Sequence, residues 1–126
     1  MKKKILIVVA NYYKDISAKL LKKCTDTLSS NYKFKIYNAP GAFEIPVIIS
    51  KHIKKFDGAI ALGCVIKGKT PHFDFISQSV NIGLMNLSIY HRKPIGNGVL
   101  TCLNKKQALE RINKGKESAE AVTSIL

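Results

Sequence analysis

Ile5-Leu6-Ile7-Val8-Val9-Ala10 is an unbroken apolar run in which four of six residues are β-branched. A strand with one wet face alternates apolar and polar residues, whereas a strand covered on both faces does not. The run therefore predicts a central strand of a parallel sheet with helices above and below it. Met1-Lys2-Lys3-Lys4 in front of it imitates the start of a signal peptide. The apolar stretch is short for that role, and Asn11-Tyr12-Tyr13-Lys14 follows without a small-residue cleavage site, so the segment reads as a first strand.

The residues beyond it repeat the pattern. Ile16, Leu20, Leu21, Cys24 and Leu28 recur at helical spacing with Lys19, Lys22 and Lys23 on the other face, and Ser29-Ser30-Asn31 ends the element. Lys33 to Tyr37 alternates as a strand, and Asn38-Ala39-Pro40-Gly41 breaks the chain. From Phe43 to Lys55 the spacing is helical, with Ile45, Val47, Ile48, Ile49 and Ile53 expected inside. A strand is expected over 59–62, then a long helix from Pro71 to about His91 with a broad apolar face from Phe75 to Ile89. A last strand spans Ile95 to Leu100. The tail from Asn104 is helical by composition, with Gly115 marking a kink or break. The order βαβαβαβαα, with right-handed crossovers, gives an α/β fold: a flavodoxin-like three-layer sandwich around a four-stranded parallel sheet.

The 126 residues predict one domain, 1–126, large enough to bury roughly two-thirds of its extended-chain surface. Twenty-one Lys and Arg against eight Asp and Glu give a formal charge of +13. Nineteen of the basic residues are Lys, scattered in pairs along the chain, while base readout favours Arg; a solvated basic surface is expected rather than a nucleic-acid partner. Cys24, Cys64 and Cys102 have neither disulfide-framework nor zinc-site spacing, which fits a reducing compartment. No stretch is long enough to span a bilayer, so a cytoplasmic protein without a membrane partner is expected.

In such sheets ligands sit at the carboxyl ends of the strands, which directs attention to 11–15, 38–44, 63–70 and 101–104. Gly63-Cys64-Val65-Ile66-Lys67-Gly68-Lys69-Thr70 matches the phosphate-binding P-loop pattern. A nucleoside-triphosphate enzyme also needs a metal-holding Asp at the end of a second apolar strand. None is present: the other strands end in Asn11, Asn38 and Thr101. Pro71 instead makes Thr70 a helix N-cap with Pro71 at the first helical position. Backbone donors over 68–70, the helix dipole and Lys69 then form a cradle for a single phosphate group. His72 falls in the first turn of that helix, where the dipole and flanking Lys67 and Lys69 favour the neutral imidazole that can shuttle protons. Pro40-Gly41-Ala42-Phe43-Glu44-Ile45-Pro46 presents an aromatic ring and a carboxylate at another strand's end.

With these segments in hand the chain resembles the lumazine synthase family. Four motifs carry the likeness in the family's order: Pro40 to Pro46; Gly63 to Asp74; Gly98-Val99-Leu100-Thr101 with Gln107-Ala108-Leu109-Glu110-Arg111; and Asn113-Lys114-Gly115. The resemblance implies a transferase of riboflavin biosynthesis that condenses a ribitylamino-pyrimidine with a four-carbon dihydroxybutanone phosphate through imine formation, phosphate loss and ring closure. It implies no metal and no organic cofactor. It makes Tyr12 the ring that stacks on the pyrimidine, Ala42, Phe43, Glu44, Cys64, Val65 and Ile66 the walls and hydrogen-bonding edge, and His72 the proton-transfer residue. Lys69, Thr70 and Arg111 become phosphate ligands, supported by the charged pair Lys114 and Glu117. It also implies a homopentamer with active sites between adjacent subunits.

Two positions depart from the family. Tyr13 stands where Asn is common, and Asn97 where the neighbouring subunit often supplies an aromatic residue; Asn97 is kept as a pyrimidine contact. Only Ile112 separates Arg111 from Asn113, and the chain starts at its first core strand, so a pentamer that does not stack into a shell is expected. Two rival readings are a basic nucleic-acid-binding module and an inactive assembly protein that keeps the fold.

Overall fold

The computed structural model describes residues 2–126. Four parallel strands, β1 (Lys4–Ala10), β2 (Lys33–Ala39), β3 (Gly58–Ile66) and β4 (Ile95–Cys102), form one sheet in the order β2-β1-β3-β4. Around it lie α1 (Lys14–Leu28), α2 (Ile45–His52), α3 (His72–His91), α4 (Lys105–Glu110) and α5 (Lys114–Ile125). Short 3-10 turns at Ser29–Asn31, Ala42–Glu44 and Ile53–Lys55 trim the ends of α1 and α2. Among the described residues no helix is long and apolar enough to cross a membrane.

The opening run explains the layers. Ile5, Ile7 and Val9 enter one core with Ile16, Leu20, Cys24 and Leu28 of α1 and Ala119 and Val122 of α5. Leu6, Val8 and Ala10 enter the other with Ile45 and Ile49 of α2 and Val80 and Leu84 of α3. Neither face of β1 meets water, which is why no polar residue interrupts it. Leaving aliphatic side chains of this size in water would cost about 1.5–3 kcal/mol each. The register aligns Lys4↔Lys33 through Ala10↔Ala39 on one side of β1 and Ile5↔Gly58 through Val9↔Leu62 on the other.

Several sequence expectations need correction. The third strand is longer than the expected 59–62: β3 continues through Gly63, paired with Val99, to Ile66, paired with Cys102. An added Cβ on Gly63 would sit 3.1 Å from Ala10 Cβ, so the residue's small size lets β1 and its neighbours pack closely. The turn is therefore confined to Lys67–Pro71, and α3 starts at His72, with Pro71 rather than Thr70 in the capping position. Val47 is not inside but 58 % exposed, because α2 turns only Ile45 and Ile49 fully inward. Likewise α3 buries only Val80 and Leu84, and leaves Phe75, Ile82, Met85 and Ile89 each more than half exposed along one stripe.

Gly115 does not break the tail. The break is at Arg111–Asn113, and Gly115 lies inside α5, where any Cβ would collide with the carbonyl of Leu20 on α1. The glycine is there for close helix approach, not for turn chemistry.

Candidate active site

The sheet order places β1 between a neighbour reached through α1 and a neighbour reached after α2, so the loops leaving β1 and β3 run to opposite sides. A crevice opens at their carboxyl ends, the general ligand position of open α/β sheets. It holds a cavity of about 470 Å3, lined by Tyr12 and Tyr13 after β1, the turn from Gly41 to Glu44 after β2, Cys64 to Ile66 at the end of β3, and Gly68, Thr70, His72, Phe73 and Ile76 at the start of α3. That volume suits a small heterocyclic ligand.

Local structure presents each group. Glu44 sits at the end of the 3-10 turn immediately before α2, and Phe43 is exposed at the cavity wall. The Asn11 and Asn38 side chains bond at 2.8 Å, with Asn11 Nδ2 donating, and tie the ends of β1 and β2 together beneath the aromatic residues. Tyr12 is 74 % exposed, and its ring meets Tyr13 edge-on at 4.9 Å between centroids. Tyr13 packs on the core, and burial raises its phenol pKa. A flat, open ring held from behind in this way can stack on a planar ligand.

On the α3 side, Thr70 Oγ1 accepts the His72 backbone N–H at 3.4 Å. An added Cβ on Gly68 meets nothing within 4 Å, leaving open space above the turn for a ligand group. The Asp74 and Phe75 N–H groups bond back to the Pro71 carbonyl at 3.1 and 3.3 Å, so what the start of α3 offers an anion at this end of the sheet is chiefly its positive dipole. His72 is exposed beside them. Cys64 is a different kind of wall: burial pushes its thiol up to about 12, so it faces the cavity as a neutral group.

Of the residues expected from sequence, Tyr12, Ala42, Phe43, Glu44, Cys64, Val65, Ile66, Thr70 and His72 come together around this cavity. Lys69, Asn97, Arg111, Lys114 and Glu117 do not line it. Asn97 Nδ2 donates to Asn81 Oδ1 of α3 at 2.8 Å. Arg111 is exposed at the end of α4, with Nη1 donating to the Gln107 carbonyl at 3.1 Å. Lys114 and Glu117 make a 4.0 Å contact within one turn of α5.

The sequence did not single out Tyr13, Gly41, Phe73 or Ile76 as site residues, whereas Gly68, expected in the phosphate cradle, does line the cavity. Ile76 was legible in principle, because it lies one helical turn beyond His72 on the same face. Tyr13 carried no signal apart from its neighbour, since its role depends on the turn leaving β1.

Comparison with known proteins points the same way. A family model described as 6,7-dimethyl-8-ribityllumazine synthase matches residues 2–126. The chain is similar to proteins of that name from Methylorubrum extorquens strain PA1 (38 % identical, covering 98 % of this chain and 79 % of the relative). It is likewise similar to those from Bartonella tribocorum (39 %, covering 100 % and 91 %) and Buchnera aphidicola subsp. Baizongia pistaciae (42 %, covering 94 % and 82 %).

Proposed function

The chain belongs to the 6,7-dimethyl-8-ribityllumazine synthase family, and from that premise we propose that the cavity at the carboxyl ends of β1, β2 and β3 is its active site. The protein is an enzyme of this activity. It condenses 5-amino-6-(D-ribitylamino)uracil with 3,4-dihydroxy-2-butanone 4-phosphate and releases phosphate, in the penultimate step of riboflavin biosynthesis. The observation that carries the site assignment is the convergence of Tyr12, Phe43, Glu44, Thr70 and His72, drawn from three separate loops, on one cavity.

In this reading Tyr12 stacks on the pyrimidine, while Phe43, Val65 and Ile66 wall it. Glu44 and the chain around Ala42 and Cys64 offer its polar edge hydrogen bonds. Thr70, Lys69 and the first turn of α3 hold the phosphate, and His72 moves protons during imine formation and phosphate elimination. Holding the amine and the ketone together in reactive orientation supplies much of the rest of the acceleration.

The working unit is a homopentamer with its site between adjacent subunits. Two observations support this. Arg111 and Asn97 stand outside the cavity of their own chain, available to a neighbour's, and the Lys114–Glu117 pair follows Arg111 at the start of α5. The stripe of Phe75, Ile82, Met85 and Ile89 on α3 gives an apolar face for a second copy to cover. We also place the enzyme in the cytoplasm, because its three buried cysteines are free thiols. Mixing the purified protein with the two substrates and following the fluorescent lumazine tests the proposal. Formation above the uncatalysed rate, lost on substitution of cavity residues, is expected; turnover indifferent to Phe43, Glu44 and His72 would move the site elsewhere.

A further inference from the structure

We propose that the end of the sheet opposite the active site is a track for single-stranded nucleic acid. The lysines look scattered in the sequence, but the fold collects them. Each of the four strands is entered through basic residues: Arg92-Lys93 before β4, Lys54-Lys55 before β3, Lys3-Lys4 at β1 and Lys33 at β2. In space they follow the sheet order β4-β3-β1-β2, so one basic step leads to the next across about 14 Å, the width of three strand spacings.

Hydrogen bonds fix this adjacency. Lys33 N–H donates to the Lys3 carbonyl at 2.9 Å, Asp57 N–H to the Lys4 carbonyl at 2.8 Å, and Lys93 Nζ to the carbonyl of Ile53 at 3.0 Å. Lys3, Lys4, Lys33, Lys54, Lys55 and Arg92 are exposed. Among the described residues the ion pairs are Lys22–Asp26, Lys105–Asp15 and Lys114–Glu117, and none involves this row. Asp57, the acid at this end, spends its carboxylate on the Lys4 backbone N–H at 2.8 Å.

A plain structural role accounts for only part of the row. Cations near the ends of helices complement the dipole, which covers Lys54-Lys55 after α2 and Arg92-Lys93 after α3. It does not cover Lys3-Lys4 or Lys33. Arg92 also occupies a left-handed backbone position (φ 55°) closing α3, where glycine is favoured.

The shape selects the polyanion. The row turns a corner onto the sheet edge, where Lys35 continues along β2 with its Nζ 5.2 Å from the Tyr37 ring centroid. A flexible strand can follow that bend, whereas a planar membrane meets one face at a time. At the β4 end of the track the exposed ring of Tyr90, in the last turn of α3 just before Arg92, gives a base a surface to stack on. Lysines contact phosphates without reading bases, so the track is indifferent to sequence.

The test is fluorescence anisotropy of a labelled oligouridylate, from about 50 to 200 mM salt. With about four phosphates engaged, affinity should fall roughly fifty-fold over that range. Charge reversal at Lys3, Lys33, Lys54 and Arg92 should remove binding. The same charge change at Lys19, Lys23, Lys106 and Lys116 on the helices should retain most of it, and the milder Lys54→Gln/Arg92→Gln pair should give an intermediate loss. Lumazine formation by each variant reports that it is folded. Equal loss in both charge-reversed proteins would mean diffuse attraction and overturn the proposal. So would no binding at the lowest salt, or capture by phosphatidylserine vesicles without binding to the oligonucleotide.

Discussion

The Thr70 hydroxyl oxygen accepts the His72 backbone N–H at 3.4 Å, so the residue assigned to the phosphate also orients the first turn that carries the residue assigned to proton transfer. The two are exposed at the same cavity mouth. Their substitution should therefore separate chemistry from binding. His72→Ala should lower kcat by about 10²–10⁴ with little change in KM. Thr70→Ala should raise KM for the phosphorylated substrate and reduce kcat by a smaller factor. Steady-state kinetics with each substrate varied in turn checks both; unchanged kcat in His72→Ala would remove it from the mechanism.

Arg111 is exposed at the end of α4, where its guanidinium donates to the Gln107 carbonyl of its own helix. Arg111→Ala should raise KM for the phosphorylated substrate by about ten- to a hundredfold, the cost of a charge-assisted contact, while leaving the pyrimidine KM near its original value. An equal rise for both substrates would mean that Arg111 holds the fold and not the phosphate.

Cys64 lines the cavity, but burial raises its pKa to about 12, with Cys102 and Asp15 adding to the shift. Burial disfavours the charged form, so the thiolate is scarce at neutral pH and appears only as pH climbs toward that value. Iodoacetamide at pH 7 should leave turnover intact over minutes, and alkylation should accelerate with rising pH. Cys64→Ser should keep activity within a few-fold. Rapid inactivation at pH 7 would contradict a neutral thiol.

Gly115 inside α5 lies against the Leu20 carbonyl with no room for a methyl group. Alanine, ordinarily the better helix former, should here destabilise by about 1–3 kcal/mol through overpacking of α1 on α5. Thermal unfolding of Gly115→Ala measures this directly, and a Tm at or above that of the parent would contradict the packing account.

The exposed stripe on α3 should be covered in solution. Light scattering should give a particle of about five times the 14.0 kDa chain, and Ile82→Glu/Ile89→Glu should dissociate it. A particle of shell size, or a stable monomer, would contradict the pentamer.

The sheet was legible because the two-sided burial of β1 leaves no polar residue in Ile5 to Ala10. The cavity was legible because its groups lie in short motifs at strand ends. Val47 departs from its expected inside position because helical spacing of apolar residues does not fix which of them α2 turns toward the sheet. Gly115 reads as a kink or break because sequence cannot separate glycine chosen for its backbone freedom from glycine chosen for its size. The row of basic residues at the amino ends of the strands emerges only from strand order, which brings Lys3, Lys33, Lys54 and Arg92 together across more than eighty residues.

In the proposed pentamer, the cavity built by Tyr12, Phe43, Thr70 and His72 of one subunit is completed by Arg111 of the next. Co-refolding His72→Ala with Arg111→Ala and measuring lumazine formation tests it most directly. If the two residues serve one site from different chains, random mixing restores some sites with both groups intact, and activity should rise to about a quarter of the parent value. If both act within one chain, no site in the mixture is whole, and activity no higher than that of the two variants alone would contradict the account.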